Sequence, residues 1–162
     1  MIVVADSSPL NYLIRLGYIG VAPQLFDALA IPPAVVREMS TTSTPAIVRE
    51  FLARPPNWLT VVIPHSVLVL PGLGRGEVEA ISLVRQVDAS AILMDDLDGR
   101  RAARSLRIPV FGTIGVLEAA ANKRLVDLNV AFQRLRETDF RIPGEFLDER
   151  LRLFRSRSTP DS

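Results

Sequence analysis

Apolar residues in this chain fall into short unbroken blocks separated by longer amphipathic stretches. Ile2-Val3-Val4-Ala5 is one block, closed by Asp6, and Ala91-Ile92-Leu93-Met94 is another, closed by the paired acids Asp95 and Asp96. A short apolar run without alternation is the pattern of a strand buried on both faces. Leu29-Ala30-Ile31-Pro32, Leu59-Thr60-Val61-Val62-Ile63 and Ile108-Pro109-Val110-Phe111-Gly112 supply three further strand candidates, the second of them rich in β-branched residues and bounded by Pro64.

Helical spacing fills the intervals. Ser8 is expected to cap a first helix with Pro9 as its first residue, Leu10, Leu13 and Ile14 on one face, and Gly17 as the stop. A second helix is expected over 21–28, packed through Leu25 and Phe26. Pro33 opens a third, over 34–39, that carries Glu38. Residues 40–45 are a flexible loop by composition, and helix resumes over 46–53 until Pro55-Pro56. Residues 65–73 read either as an apolar loop or as a small extra strand. Helices follow over 76–84, around Arg100 to Leu106, up to Asn122 with Thr113 as its cap, and over 129–137 and 145–154, whereas the tail 155–162 is expected to fray. Strands alternating with helices of about ten residues predict an α/β fold with a parallel sheet covered on both faces, in one domain over 1–154.

Composition narrows the chemistry. The 162 residues are 48% hydrophobic and 23% charged, and none is cysteine, so the chain is of ordinary globular type, without disulfides, zinc-thiolate sites or thiol catalysis. No stretch has the length of a membrane span or the layout of a secretory signal, so a cytoplasmic location and no membrane partner are expected. Net charge is +1, but residues 1–96 carry 6 Arg and 9 acids while residues 97–162 carry 12 Arg, Lys123 and 9 acids. The guanidinium fork suits phosphate oxygens, and Arg100, Arg101, Arg104 and Arg107 are either a solvated face or a guide for a nucleic-acid backbone.

The acids carry the functional reading. Two consecutive carboxylates at the end of a buried strand are costly without a partner. If the first and fourth strands are neighbours, Asp6 joins them in the crevice where open parallel sheets bind ligands. Glu77 and Glu79 also have an innocent role, since acids in a first helical turn favour the helix dipole, and Asp95 or Asp96 could pair with Arg100 or Arg101. A carboxylate cluster with no cysteine prefers a hard cation, Mg²⁺ or Mn²⁺. Such an ion serves phosphodiester hydrolysis or phosphoryl transfer. His65, the single histidine, reads as a packing or surface residue, and Trp58 as an anchor for the third strand.

Five segments in order then show a resemblance: Val4-Ala5-Asp6-Ser7-Ser8-Pro9-Leu10; Ile31-Pro32-Pro33-Ala34-Val35-Val36-Arg37-Glu38; Gly76-Glu77-Val78-Glu79-Ala80-Ile81; Met94-Asp95-Asp96-Leu97-Asp98-Gly99-Arg100-Arg101-Ala102-Ala103; and Val110-Phe111-Gly112-Thr113-Ile114-Gly115-Val116-Leu117. Together they resemble the PIN-domain family, in particular its short prokaryotic branch related to VapC-type toxins. The resemblance implies a three-layer α/β/α fold around a mainly parallel five-stranded sheet, and an acidic pocket that binds Mg²⁺ or Mn²⁺ for RNA cleavage. By position, Asp6 matches the first-strand aspartate, Glu38 the glutamate after the second strand, and Glu77 the acid before the fourth strand, where the wider family more often has Asp. Asp95 or Asp96 matches the acid after that strand, with Asp96 the better fit in spacing, and Ser8 matches the hydroxyl that supports the first aspartate or its water. Arg100, Arg101 and Thr113 are candidate contacts to substrate phosphate. The implied activity is that of a metal-dependent endoribonuclease, the toxin of a toxin-antitoxin pair, with RNA and a cognate antitoxin as partners. A homodimer is also implied, for which helices near 21–29 and 46–52 could supply the contact. The alternative is a catalytically weak PIN-like module that binds nucleic acid or a partner.

Overall fold

The computed structural model describes residues 1–158. Met1–Ile114 and Gly115–Ser162 each form a compact unit.

The first unit contains the sheet. Strands β1 (Ile2–Ala5), β2 (Ala28–Ile31), β3 (Leu59–Val61), β4 (Ala91–Leu93) and β5 (Val110–Phe111) lie in the order β3-β2-β1-β4-β5, and every neighbouring pair is parallel. Val4 stands opposite Ala30 on one side and Ile92 on the other. These three residues pack with Ala80, Ile81, Leu83 and Val84 of helix α5 (Arg75–Gln86) and Ala103 of α6 (Leu97–Ser105). Their chain neighbours Val3, Ala5, Leu29 and Leu93 point to the opposite face by the two-residue period of a strand, and they too are buried. Burial on both faces is the physical reason that β1 and β4 read as unbroken apolar runs.

Helices α1 (Ser7–Arg15), α3 (Pro33–Glu38) and α4 (Ala46–Ala53) fall close to expectation, with one change that matters for the site. Helix α1 starts at Ser7, so Asp6 rather than Ser8 occupies the N-cap and Pro9 is the third helical residue. The helix expected over 21–28 is broken into a 3-10 turn at Ile19–Val21 and a single turn, α2 (Ala22–Leu25). Phe26 is extended, and the Asp27 amide donates to the Met1 carbonyl, so the parallel pairing of β2 with β1 overrides the helical spacing. Residues 65–73 form a loop without strand pairing, fastened to α5 where the Ser82 hydroxyl accepts from the Leu68 amide and the Gln86 side chain accepts from the His65 amide.

Helix α7 (Thr113–Asn122) begins directly after β5. The second unit continues with α8 (Leu128–Arg136) and α9 (Gly144–Ser158), and buries Leu128, Ala131, Phe132, Leu135 and Leu147. Within it, Arg150 Nη2 donates to both oxygens of Glu118 at 2.8 Å. Because α9 runs to Ser158, residues 155–158 of the expected tail are helical, and 159–162 lie outside the described residues. Among the described residues, no helix is long and apolar enough to cross a membrane.

Candidate functional site

The strand order changes direction between β1 and β4, since β2 follows on one side of β1 and β4 stands on the other. In an open α/β sheet, the crevice beyond the C-terminal strand ends at such a point is the natural ligand site. Asp6 follows β1 directly, and its amide donates to the Leu93 carbonyl at 2.9 Å, which ties it to the end of β4.

Asp6 is 4% exposed. A carboxylate at an N-cap normally accepts from the second or third helical amide, but the third residue of α1 is Pro9, which has no amide hydrogen, and no side-chain cap bond forms. The Ser7 amide lies near enough to the Asp6 carboxylate to favour its charged form, but Oδ1 is buried without a partner. Burial is the main cause that raises its pKa to about 7; the Ser7 amide opposes the rise, and the charges of Glu77, Glu38 and Asp95 add to it. The structure therefore brings Asp6, Glu38, Glu77 and Asp95 into one electrostatic neighbourhood.

Each of the other acids rests on neutral donors. Asp95 accepts from Ser8 Oγ at 2.8 Å and from both the amide and the hydroxyl of Thr113 at 2.7 Å. Glu38, at the end of α3, accepts from Ser7 Oγ and from the Gly76 amide, each at 3.0 Å. Glu77 accepts from the Gly74 amide at 3.1 Å; burial first, then the charge of Asp96, raise its pKa, with Glu38 and Asp98 adding and the Gly74 amide opposing. Asp96 is the exposed N-cap of α6 and accepts from the Gly99 amide at 2.9 Å. Asp95 is thus the strand-end acid whose charge acts on Asp6, and Asp96 the one whose charge acts on Glu77.

The other sequence candidates separate. Glu79 is buried and ion-paired to Arg75 at 3.2 Å and Arg37 at 3.6 Å, which accounts for it as a structural charge. Ser8 supports Asp95 rather than Asp6, and Thr113 is fully buried with both of its donors on Asp95. Arg100 is half-buried and donates from Nη1 to the Met94 carbonyl at 2.8 Å, whereas Arg101 is exposed and lies 3.5 Å from Asp98. Trp58 packs its ring against Phe51, as an anchor would. Sequence reasoning missed Ser7, Gly76 and Gly112. A Cβ on Gly112 would stand 2.8 Å from both Arg100 Nη1 and Asp95 Oδ1, and the only hint was a glycine placed directly after a strand.

The donor set is all oxygen, which suits a hard divalent cation, and the orphaned Asp6 Oδ1 is the atom such an ion would satisfy. Among the described residues, no three His, Cys, Asp or Glu side chains are drawn together tightly enough to hold an ion as they stand. The hydrogen bonds above supply the reason: each flanking carboxylate is parked on its own neutral donor, and like charges keep apart.

A family model described as a PIN domain (DUF3368) matches residues 2–156. Among solved structures, the fold is similar to that of a PilT N-terminus domain protein from the hyperthermophilic archaeon Sulfolobus solfataricus P2. The TM-score is 0.55 and the identity 15%, covering 74% of this chain and 93% of that chain, a likeness that speaks for the fold alone. No curated protein matches the chain. A parallel sheet with acids gathered at its switch point agrees with the family match over nearly the full length, and the chain belongs to the PIN-domain family.

Proposed function

We propose that this PIN-domain protein is a divalent-metal-dependent ribonuclease. PIN domains are in general nucleases, and the observation that carries the reading for this chain is the buried, unpartnered Oδ1 of Asp6 beside Glu38, Glu77 and Asp95. A carboxylate placed in this way gains most from a cation, and Asp6, Glu38, Glu77 and one or both of Asp95 and Asp96 are the residues that would hold Mg²⁺ or Mn²⁺. The bound ion would supply an acidified water and polarise the phosphoryl group. Arg100, fixed by the Met94 carbonyl at the rim of the acids, and the exposed Arg101 offer cationic contacts for the scissile or adjacent phosphate. Thr113 and Ser8 keep Asp95 in place from behind.

The deciding experiment compares the wild type with Asp6→Asn on single-stranded RNA in the presence of Mn²⁺. The variant is expected to lose cleavage while its circular dichroism and thermal unfolding remain those of a folded protein. Metal-dependent cleavage retained by purified Asp6→Asn would overturn the assignment.

The resemblance to VapC-type proteins extends the proposal to a toxin role, with an antitoxin as inhibitor. Induced expression should then arrest growth, and Asp6→Asn should not. The absence, among the described residues, of three acids drawn close enough to share an ion favours one rival, a catalytically weak module that binds nucleic acid or a partner. Calorimetric titration with Mn²⁺ separates the two, because only the nuclease requires saturable binding that disappears in Asp6→Asn.

A further inference from the structure

Glu38 is an exposed side chain at the C-terminal end of a six-residue helix, a position where a glutamate ordinarily samples several rotamers. Here both of its oxygens are engaged. Ser7 Oγ, from the first residue of α1, donates to Oε2, and the amide of Gly76, the second residue of α5, donates to Oε1. The Gly76 amide is one of those that a helix leaves without an internal acceptor, and the partial positive charge at that end favours a carboxylate.

Gly76 bears the imprint of this contact. Glycine weakens a helix relative to alanine, and Gly76 has no positive φ that would call for it, unlike Gly17 and Gly72. A Cβ built there would meet Glu38 Oε1 at 2.5 Å, Oε2 at 2.6 Å and Cδ at 2.7 Å. The space that a side chain would fill at 76 is the space that the Glu38 carboxylate occupies.

We infer that Ser7 and Gly76 are positioning residues that seat Glu38 beside Asp6, Ser7 through its hydroxyl and Gly76 through its amide and its lack of a side chain. The seat links the start of α1, the end of α3 and the start of α5. Ser7 immediately follows Asp6, and Gly76 immediately precedes Glu77, so each seating residue adjoins a member of the acidic group in the chain. The inference rests on the nuclease reading for its effect on catalysis, but the seat itself can be tested without metal or RNA.

In the metal-free full-length protein, the Gly76 amide should be protected from hydrogen exchange and should exchange about tenfold faster or more in Glu38→Ala. In the presence of Mn²⁺, Gly76→Ala should lower calorimetric affinity about tenfold or more, in the range seen when an outer-shell partner is lost. It should reduce kcat with little change in KM for RNA. Ser7→Ala should act in the same direction and Ser7→Thr should restore wild-type behaviour, a rescue that a purely structural role would not require. Ser7→Ala keeps the question open to test if Gly76→Ala does not fold. Unchanged Gly76 exchange in Glu38→Ala, or wild-type Mn²⁺ affinity and kcat in Ser7→Ala, would overturn the inference. If the wild type binds no Mn²⁺ and cuts no RNA while Gly76 exchange still depends on Glu38, the nuclease reading falls and the seat stands.

Discussion

A carboxyl group that is nearly buried, with one oxygen unpartnered, is unfavourable when ionised, and Asp6 responds by keeping its proton up to about pH 7. The unfolded chain releases that proton near the ordinary value of 3.8. The native state therefore binds more protons between these values, and its stability falls as pH rises through the window. Without metal, Asp6→Asn should unfold at the same temperature as the wild type near about pH 4, and at a higher temperature above about pH 7. Calorimetric melts across the range check the sign; a variant less stable than the wild type at high pH would contradict it. Protons and cations compete for Asp6, so added Mn²⁺ should raise the wild-type melting temperature more at about pH 8 than at about pH 6. Glu79→Gln gives a contrasting expectation, since Glu79 is occupied by Arg75 and Arg37: cleavage should persist and only stability should fall. At this scale Asp6 was legible because an apolar run stops at it. Glu77 and Glu79 were not separable, because both lie in the opening turns of one helix and only the three-dimensional packing gives Glu79 its arginines.

Elements were legible where one physical cause dominates. The two central strands, β1 and β4, are buried on both faces and announce themselves by composition, as do α4, opened after Pro45 and ended before Pro55-Pro56. Over 21–28 helical spacing and strand pairing compete, and the backbone hydrogen bond from Asp27 to Met1 decides for the strand. The shift of the α1 start by one residue was equally hidden, since Ser8-Pro9 is a valid cap and first residue by local rules. That small shift changes the role of Ser8 from a helix cap to a donor for Asp95. The tie from Thr113, just past β5, to Asp95, just past β4, belongs to this scale as well. Thr113→Val keeps the shape but removes one of the donors on Asp95, and should lower stability by about 1.5–3 kcal/mol, the worth of a hydrogen bond to a charged group. Urea titration measures it, and a loss near zero would mean that the hydroxyl contributes little to holding the strand ends together.

For the whole molecule, the fold class followed from the alternation of strands and helices, and the all-parallel order β3-β2-β1-β4-β5 bears out the expected sheet. The resemblance to VapC-type proteins implies a homodimer, for which sedimentation should give twice the single-chain mass. Ile47, 53% exposed on α4, is the position where a charge (Ile47→Glu) should return the protein to monomer, and an unchanged mass in that variant would remove α4 from the contact. The Ser8 hydroxyl waits for Asp95, 87 positions later in the chain, and Asp95 in turn waits for Thr113. Because synthesis runs from the N-terminus, a nascent polypeptide still on the ribosome carries its first aspartate long before the rest of the constellation has emerged. Any chemistry that needs all of these side chains together is thereby withheld from an unfinished copy by the order of translation alone.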